Sequence, residues 1–285
     1  CLLCGSPERR PLYRGLKGVV KCAACGLVYT SPRLTKDAAC EFYSQDYFES
    51  HSSEEMGYDN YVSDRDLVER TFKKRLERIE KRWLPSKGRL LDIGCAAGFF
   101  LKIARDRGWE THGVEISEYC CRYAADQFGL SLHHGPFESL DAREGLFDLI
   151  TMWDYIEHSH VPDRDISKSY QFLKKDGLLA IATPDLGSVP ARLFRDKWIG
   201  FKEHEHLYYF TRGNLTRLVE RNGFKILHVS HIGKYISLNF FAKRLSTYSG
   251  FLGSLMGRMS SLPALKDLHF YCNPFDIVYV IAKKV

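Results

Sequence analysis

From residue 89 onward, short apolar runs alternate with stretches whose apolar residues return at helical spacing. The runs Leu90–Ile93, Trp109–Val114, Leu130–His134, Phe147–Trp153, Gly177–Thr183, Lys225–His231 and Phe275–Lys283 read as strands. Between them the pattern predicts a helix ending at Arg107 before Gly108, one from the Ser117 cap to Phe128, and one from the Thr211 cap to Arg221 before Gly223. Such alternation predicts an α/β fold, a mostly parallel sheet with helices on both faces. Upstream, Leu67, Phe72, Leu76, Ile79 and Trp83 make one face of a helix that Ser63 caps and Pro85 ends. Residues 235–274 carry two further apolar helical faces, Leu238/Phe241/Ala242/Leu245 and Leu252/Leu255/Met256/Met259. They read as a core-packed helical pair; a pocket wall, a homodimer contact or a membrane-surface rest are the alternatives.

With 285 residues, 13% of them aromatic, the chain can bury a large core as one domain with appendages. Its net charge of +6 is spread out, and Lys73-Lys74-Arg75 lies among glutamates as on a solvated helix face, so charge alone does not favour a nucleic-acid partner. No apolar run reaches the ~18 residues of a membrane span. No leader is visible, although the chain begins at Cys1 without a methionine, and a cytoplasmic location is expected. The stretch holding Phe42, Tyr43, Tyr47, Phe48, Tyr58 and Tyr61 lacks helical or strand periodicity but is too aromatic to be disordered, so it reads as a lid or a packed connector.

Two Cys-x-x-Cys knuckles, Cys1/Cys4 and Cys22/Cys25, are each followed by glycine. Four thiolates at this spacing predict a structural zinc ribbon with no open coordination position. A cytosolic setting disfavours two disulfides, and duplication of the knuckle disfavours a redox pair.

Candidate chemistry gathers at the end of the first strand. Asp92-Ile93-Gly94-Cys95-Ala96-Ala97-Gly98-Phe99 is a strand, a glycine turn and a helix start, which presents free N–H groups to a ligand. The second strand leads into Glu115-Ile116, an acid placed to take ribose hydroxyls. Asp92 would repel a pyrophosphate but suits a cationic group, so S-adenosylmethionine, with an ammonium, a sulfonium and a ribose, matches both acids. The stretch resembles motif I of class I S-adenosylmethionine-dependent methyltransferases. That resemblance implies a Rossmann-like seven-stranded sheet with its last strand antiparallel. It also implies cofactor contacts from Asp92, Gly94, Cys95, Gly98, Phe99, Glu115, Ile116, Phe137, Trp153 and Asp154. Pro136 stands where the family often has an acid near the adenine.

The run Asp154-Tyr155-Ile156-Glu157-His158 after the fourth strand resembles a segment of small-molecule methyltransferases and places His158 near the methyl group. The Asn/Asp-Pro-Pro-aromatic run of nucleobase amine methyltransferases is absent here. After strand five, Glu203-His204-Glu205-His206 lies on a loop entering a helix. Two histidines on one side of an extended strand supply two metal ligands and no obvious third, so a general base is the more economical reading. His206 is the first choice and His204 the second, with Glu205 or another carboxylate orienting the imidazole; a structural histidine pair is the alternative. The ribbon and "Gly-Leu-Val-Tyr-x-x-Pro" resemble bacterial methyltransferases of small molecules and sugars. The expected organisation is a zinc ribbon over 1–34, a linker and helix over 35–84, a methyltransferase core over 85–234, a helical insertion over 235–274 and the last strand over 275–285. The expected activity is methyl transfer to a hydroxyl, or an activated carbon, of a small molecule such as a nucleotide- or lipid-linked sugar. An RNA methyltransferase gripping RNA with the ribbon is the alternative, and a non-catalytic binding protein is disfavoured by the intact Asp92, Gly94, Gly98 and Glu115.

Overall fold

A computed structural model describes residues 1–33, 64–141, 146–203, 205–262, 265 and 267–285. The aromatic stretch 42–61, the Ser63 cap and His204 lie outside the described residues.

The elements in chain order are β1 (Arg9–Pro11), β2 (Val19–Cys22), β3 (Val28–Thr30), α1 (Arg65–Arg82), β4 (Arg89–Ile93), α2 (Phe99–Asp106) and β5 (Glu110–Glu115). Next come α3 (Glu118–Phe128), β6 (His133–His134), β7 (Phe147–Trp153), α4 (Pro162–Phe172), β8 (Leu173–Pro184), α5 (Val189–Phe194) and β9 (Tyr208–Tyr209). The chain closes with α6 (Arg212–Arg221), β10 (Phe224–His231), β11 (Lys234–Ser237), α7 (Leu238–Tyr248), α8 (Gly250–Ser260), β12 (His269–Cys272) and β13 (Ile277–Lys284).

Seven strands form one mixed sheet in the order β10-β13-β8-β7-β4-β5-β6, with β13 antiparallel to both neighbours and the inner strands parallel. Alternate residues of each strand face opposite sides. Leu91, Ile93, Ile150, Met152 and Ile181 pack with Leu215 and Leu218 of α6 on one side. Leu90, Leu149, Leu178 and Ala180 pack with Leu76 and Ile79 of α1 on the other. Each such buried leucine, isoleucine or methionine side chain contributes about 1.5–3 kcal/mol through its removal from water. The helix caps follow the sequence: the Ser117 hydroxyl accepts from Cys120 N–H and the Thr211 hydroxyl from Asn214 N–H.

The strand order reverses at β4, and its loop and that of β7 open at the carboxyl edge, where open α/β sheets bind ligands. The amino-terminal strands do not stand apart. β1, β2 and β3 extend into a four-stranded sheet completed by β9, the strand that follows the Glu/His run. Arg221 of α6 also donates to the carbonyls of Leu2 and Leu3.

The insertion differs from a helical pair packed into the core. β11 and β12 form a hairpin held on α1, with Tyr235 N–H donating to Thr71 Oγ1 and Arg70 stacked over the Tyr235 ring at 4.2 Å. α7 buries Leu238, Phe240 and Ala242. α8 leaves Phe251 79% exposed, with Leu252, Leu255 and Met259 also at the surface. Helical periodicity reports an apolar stripe but not whether another element covers it. No described helix is long and apolar enough to cross a membrane.

Behind α1, the buried Glu80 carboxylate accepts from Arg107 Nε at 3.0 Å and from Trp109 Nε1 at 2.9 Å, and it pairs with Lys87 at 2.9 Å. Burial opposes its ionisation, but these donors outweigh burial and bring its pKa down to about 2. Glu80→Gln should destabilise the fold by about 2 kcal/mol in urea titrations near neutral pH, because the charge-assisted bonds from the partly exposed Arg107 and Lys87 to a buried carboxylate are lost. The folded pKa lies below the unfolded one. The Glu80 contribution is therefore complete above the unfolded value of about 4.3 and should vanish as pH falls toward 2.

Candidate active site at the carboxyl edge of the sheet

A cavity of about 500 Å³ runs from the β4 turn across the end of β7 to the insertion. At one end, Gly94 and Gly98 take φ of +72° and +79°, and Ala96 also adopts positive φ, which folds the turn back over the end of β5. A Cβ on Gly94 would fall 2.6 Å from Tyr155 Cδ2, so only glycine lets the turn pass beneath this ring.

Two buried carboxylates flank the turn. Asp92 is 2% exposed and accepts a hydrogen bond from the Thr151 hydroxyl. Burial, only partly offset by that bond, pushes its pKa up to about 8, with Glu115 adding to the rise and Arg75 opposing it. Glu115 accepts from Ala96 N–H at 2.8 Å and Ser117 N–H at 2.9 Å, yet burial still raises its pKa. Each oxygen retains a second lone pair for a hydroxyl donor.

Arg75 of α1 was not among the sequence candidates. It is 7% exposed, its Nη1 lies 4.0 Å from Asp154 Oδ2, and its guanidinium sits 5.1 Å from the Trp153 ring centre. The available signal was positional: Arg75 lies three residues after Phe72 and four before Ile79, so it shares their buried face.

The other end of the cavity brings together Glu157, His158 and His206, whose ligand atoms all lie within 4.8 Å of one another. The imidazole rings of His158 and His206 meet edge to face at 4.8 Å. His158 Nδ1 donates to the Glu205 carbonyl at 3.1 Å and His206 Nδ1 to the Gly200 carbonyl at 3.1 Å. A carbonyl only accepts, so each neutral ring carries its hydrogen on Nδ1 and its lone pair on Nε2. Burial holds His158 down to about 4 and His206 well below the ordinary histidine value. Glu157 is 1% exposed, and neither carboxylate oxygen has a hydrogen-bond partner among the described residues. Burial and then the charge of Asp154 push its pKa up to about 8, with its own backbone, the Thr183 hydroxyl and Lys202 opposing the rise.

The cavity wall includes Asp92, Gly94, Cys95, Glu115, Ile116 and Phe137 of the expected cofactor set, together with Trp153 and Asp154. Gly98 and Phe99 do not line it: Phe99 is buried against the rings of Phe128 and Tyr123. His158, Glu205 and His206 reach the wall as well. Glu205 holds His158 through its carbonyl, while its carboxylate stands 3.5 Å from Lys202 Nζ and the Gly200 carbonyl orients His206. Glu157 went unnoticed because a carboxylate beside a histidine looks solvent-facing in sequence; only burial reveals it.

Away from the cavity, the sulfurs of Cys1, Cys4, Cys22 and Cys25 lie within 4.8 Å of one another, with Cys1–Cys25 at 3.3 Å and Cys4–Cys22 at 3.5 Å. Thiolates around tetrahedral zinc, with Zn–S bonds of about 2.3 Å, stand about 3.8 Å apart, so this set fits such an ion.

The family model for a methyltransferase domain matches residues 61–229. The chain belongs to this methyltransferase family. A ubiquinone biosynthesis O-methyltransferase of Nitrobacter winogradskyi is 29% identical over 156 residues, which cover 50% of this chain and 59% of that protein. One of the same name from Coxiella burnetii is 24% identical over 169 residues, covering 55% and 72%. Among solved structures, a possible histamine N-methyltransferase of Thermotoga maritima aligns with a TM-score of 0.51 at 19% identity, over 78% of this chain and 91% of that one. Magnesium protoporphyrin IX methyltransferase of Synechocystis PCC 6803, with bound SAH, aligns with a TM-score of 0.53 at 14% identity, over 85% and 98%. These likenesses establish the methyltransferase fold.

Gly94→Ala should lower the melting temperature of this chain, since its Cβ meets the Tyr155 ring in a left-handed turn. A cost of about 1–3 kcal/mol is expected in chemical denaturation, with the pairing of Tyr155 to Asp165 disturbed.

Proposed function

We propose that this chain transfers a methyl group from S-adenosylmethionine to a hydroxyl of a small molecule. The observation that carries the reading is the pair of buried carboxylates, Asp92 and Glu115, which share one cavity with the Glu157/His158/His206 cluster. When bound, the cofactor supplies a methyl group activated by a positive sulfonium. Asp92 attracts its cationic amino-acid end, and Glu115 accepts from the ribose hydroxyls across the Gly94 turn. Arg75 suits a carboxylate. Trp153 and Tyr155 supply apolar walls that exclude water. Most of the rate then comes from holding the acceptor oxygen in line, with its hydrogen directed to the Nε2 lone pair of His206 or His158.

A sugar, nucleotide-linked or lipid-linked, is the acceptor we favour, since α7 and the β11–β12 hairpin contribute to the cavity wall and bring Lys234 and Arg244 to it. The names of the O-methyltransferase relatives favour oxygen over carbon as the methylated atom. The four thiolates hold a structural zinc in our reading, and a cytoplasmic enzyme, alone or as a homodimer, accords with it. RNA as acceptor gains no specific support, because the strand after the ribbon knuckles is occupied in pairing with β9.

Incubation with methyl-labelled S-adenosylmethionine and fractionated small molecules tests the reading. Label is expected in a small-molecule product, with at least a hundredfold loss in His206→Ala; label in nuclease-sensitive RNA would overturn it. Cofactor affinity should also depend on pH. Protonated Asp92 must ionise to meet a cation, so affinity should climb by up to about tenfold per pH unit from pH 6 to about 8 and then level. The groups facing Asp92 are Glu115, Arg75 and Thr151, and calorimetric titration should show the slope lost in Asp92→Asn.

A further inference from the structure

We infer that Glu157, His158 and His206 form a binding site for one divalent transition-metal ion, distinct from the four-cysteine cluster. The set holds two imidazole nitrogens and one carboxylate within 4.8 Å, a donor combination that suits zinc, iron, cobalt, nickel or manganese. The Glu157 carboxylate is the group that demands a partner. It is 1% exposed, and neither oxygen makes a hydrogen bond of ordinary geometry among the described residues, although the Thr183 hydroxyl and its own backbone partly offset its burial. An isolated carboxylate at this depth is costly unless it is paired or coordinates a metal.

Both imidazoles are prepared as ligands. Each donates Nδ1–H to a backbone carbonyl, that of Glu205 for His158 and that of Gly200 for His206. That outer bond fixes the ring and directs the Nε2 lone pair inward, as in established metal sites. The ligands come from two segments tied by the main chain, with Leu207 and Tyr208 N–H both donating to the Glu157 carbonyl. Ligand bonds of about 2.0–2.2 Å would bring the donor atoms to roughly 3 Å of one another, which side-chain rotation supplies. The nearby ammonium of Lys202 stands 3.5 Å from the Glu205 carboxylate, which offsets its charge. All three residues line the cavity, so the remaining coordination positions face the space for a small molecule. An alcohol oxygen bound there would become acidic: its O–H bond breaks, the proton passes to water, and the electron pair stays on the oxygen beside the ion. The imidazoles then act as ligands instead of proton acceptors. This consequence rests on the methyl-transfer reading; the site itself does not.

The test is cobalt titration of the full chain after its four cysteines have taken up a single equivalent of zinc and unbound zinc has been removed, followed by visible absorption and calorimetry. One cobalt ion per chain is expected, with weak ligand-field bands and no thiolate charge-transfer absorption. Affinity should fall more than tenfold in Glu157→Gln and in His206→Ala. The melting curve of each variant reports folding, and Asp92→Asn, in which cofactor binding is impaired, should bind cobalt like the unaltered chain. Should either variant unfold, the unaltered chain decides through its proton spectrum. Two hyperfine-shifted, exchangeable imidazole N–H signals support the site, and fewer than two overturn it. Absence of cobalt binding, or binding with thiolate absorption that persists in folded Glu157→Gln, also overturns the proposal. Cofactor binding and label transfer are read separately, so loss of the metal site and loss of the methyl-transfer reading are told apart.

Discussion

The short main-chain seam around residues 205–209 holds the cavity's chemistry in place. Thr30 N–H donates to the Leu207 carbonyl and the Thr30 hydroxyl to the His206 carbonyl at 2.7 Å, while Leu207 and Tyr208 N–H reach the Glu157 carbonyl. β3 then pairs with β9. One segment is thereby fixed between the amino-terminal sheet and the end of β7, and its fixing sets His206 against His158. Hydrogen bonds of this kind contribute only about 1 kcal/mol each in net stability. Their value lies in geometry: a buried backbone must satisfy its donors, so few other arrangements of the loop are available.

Seen from this seam, the amino-terminal module supports the site from outside the cavity, through its bonds to residues 206–209. Cys22 ends β2, an interior strand of the small sheet, and Cys25 lies in the turn that leads to β3, the strand paired with β9. The unusual burial of charge follows from the same enclosure. Asp92, Glu115 and Glu157 are all at most 7% exposed, and each is raised above its ordinary pKa chiefly by desolvation. Carboxylates held this way are poised to gain from a cation, whether the charged end of a cofactor or a metal ion. Stability is supplied elsewhere, by the apolar layers on both faces of the sheet and by the Glu80 cluster behind it, where the carboxylate already has its cations.

The insertion adds a second kind of enclosure. The β11–β12 hairpin leans on α1 through Arg70–Tyr235 and Lys74–Tyr271 contacts, so the helix that delivers Arg75 to the cavity also anchors the far wall. α7 places Phe240, Phe241 and Arg244 on that wall. The exposed apolar residues of α8 lie outside this scheme.

The sequence by itself determined the layered fold and the first half of the site. Strand runs such as Phe147–Trp153 and caps such as Ser117 and Thr211 are local signals, written in side-chain spacing and in hydroxyls that meet nearby N–H groups. The glycine turn with Asp92 and Glu115 was legible for the same reason: the strands' parallel register, Asp92 opposite Gly113 and Ile93 opposite Val114, turns a spacing along the chain into neighbours in space. Tertiary structure alone decided the rest. Arg75, Glu157 and Tyr155 acquire their roles through burial and through partners distant in sequence or across a turn. The hairpin of the insertion depends on pairing residues 234–237 with 269–272, a long-range register with no local mark. That His206 is held by Gly200, and Glu205 by the demands of His158, is likewise a matter of which carbonyl the folded loop presents, and periodicity carries no record of it.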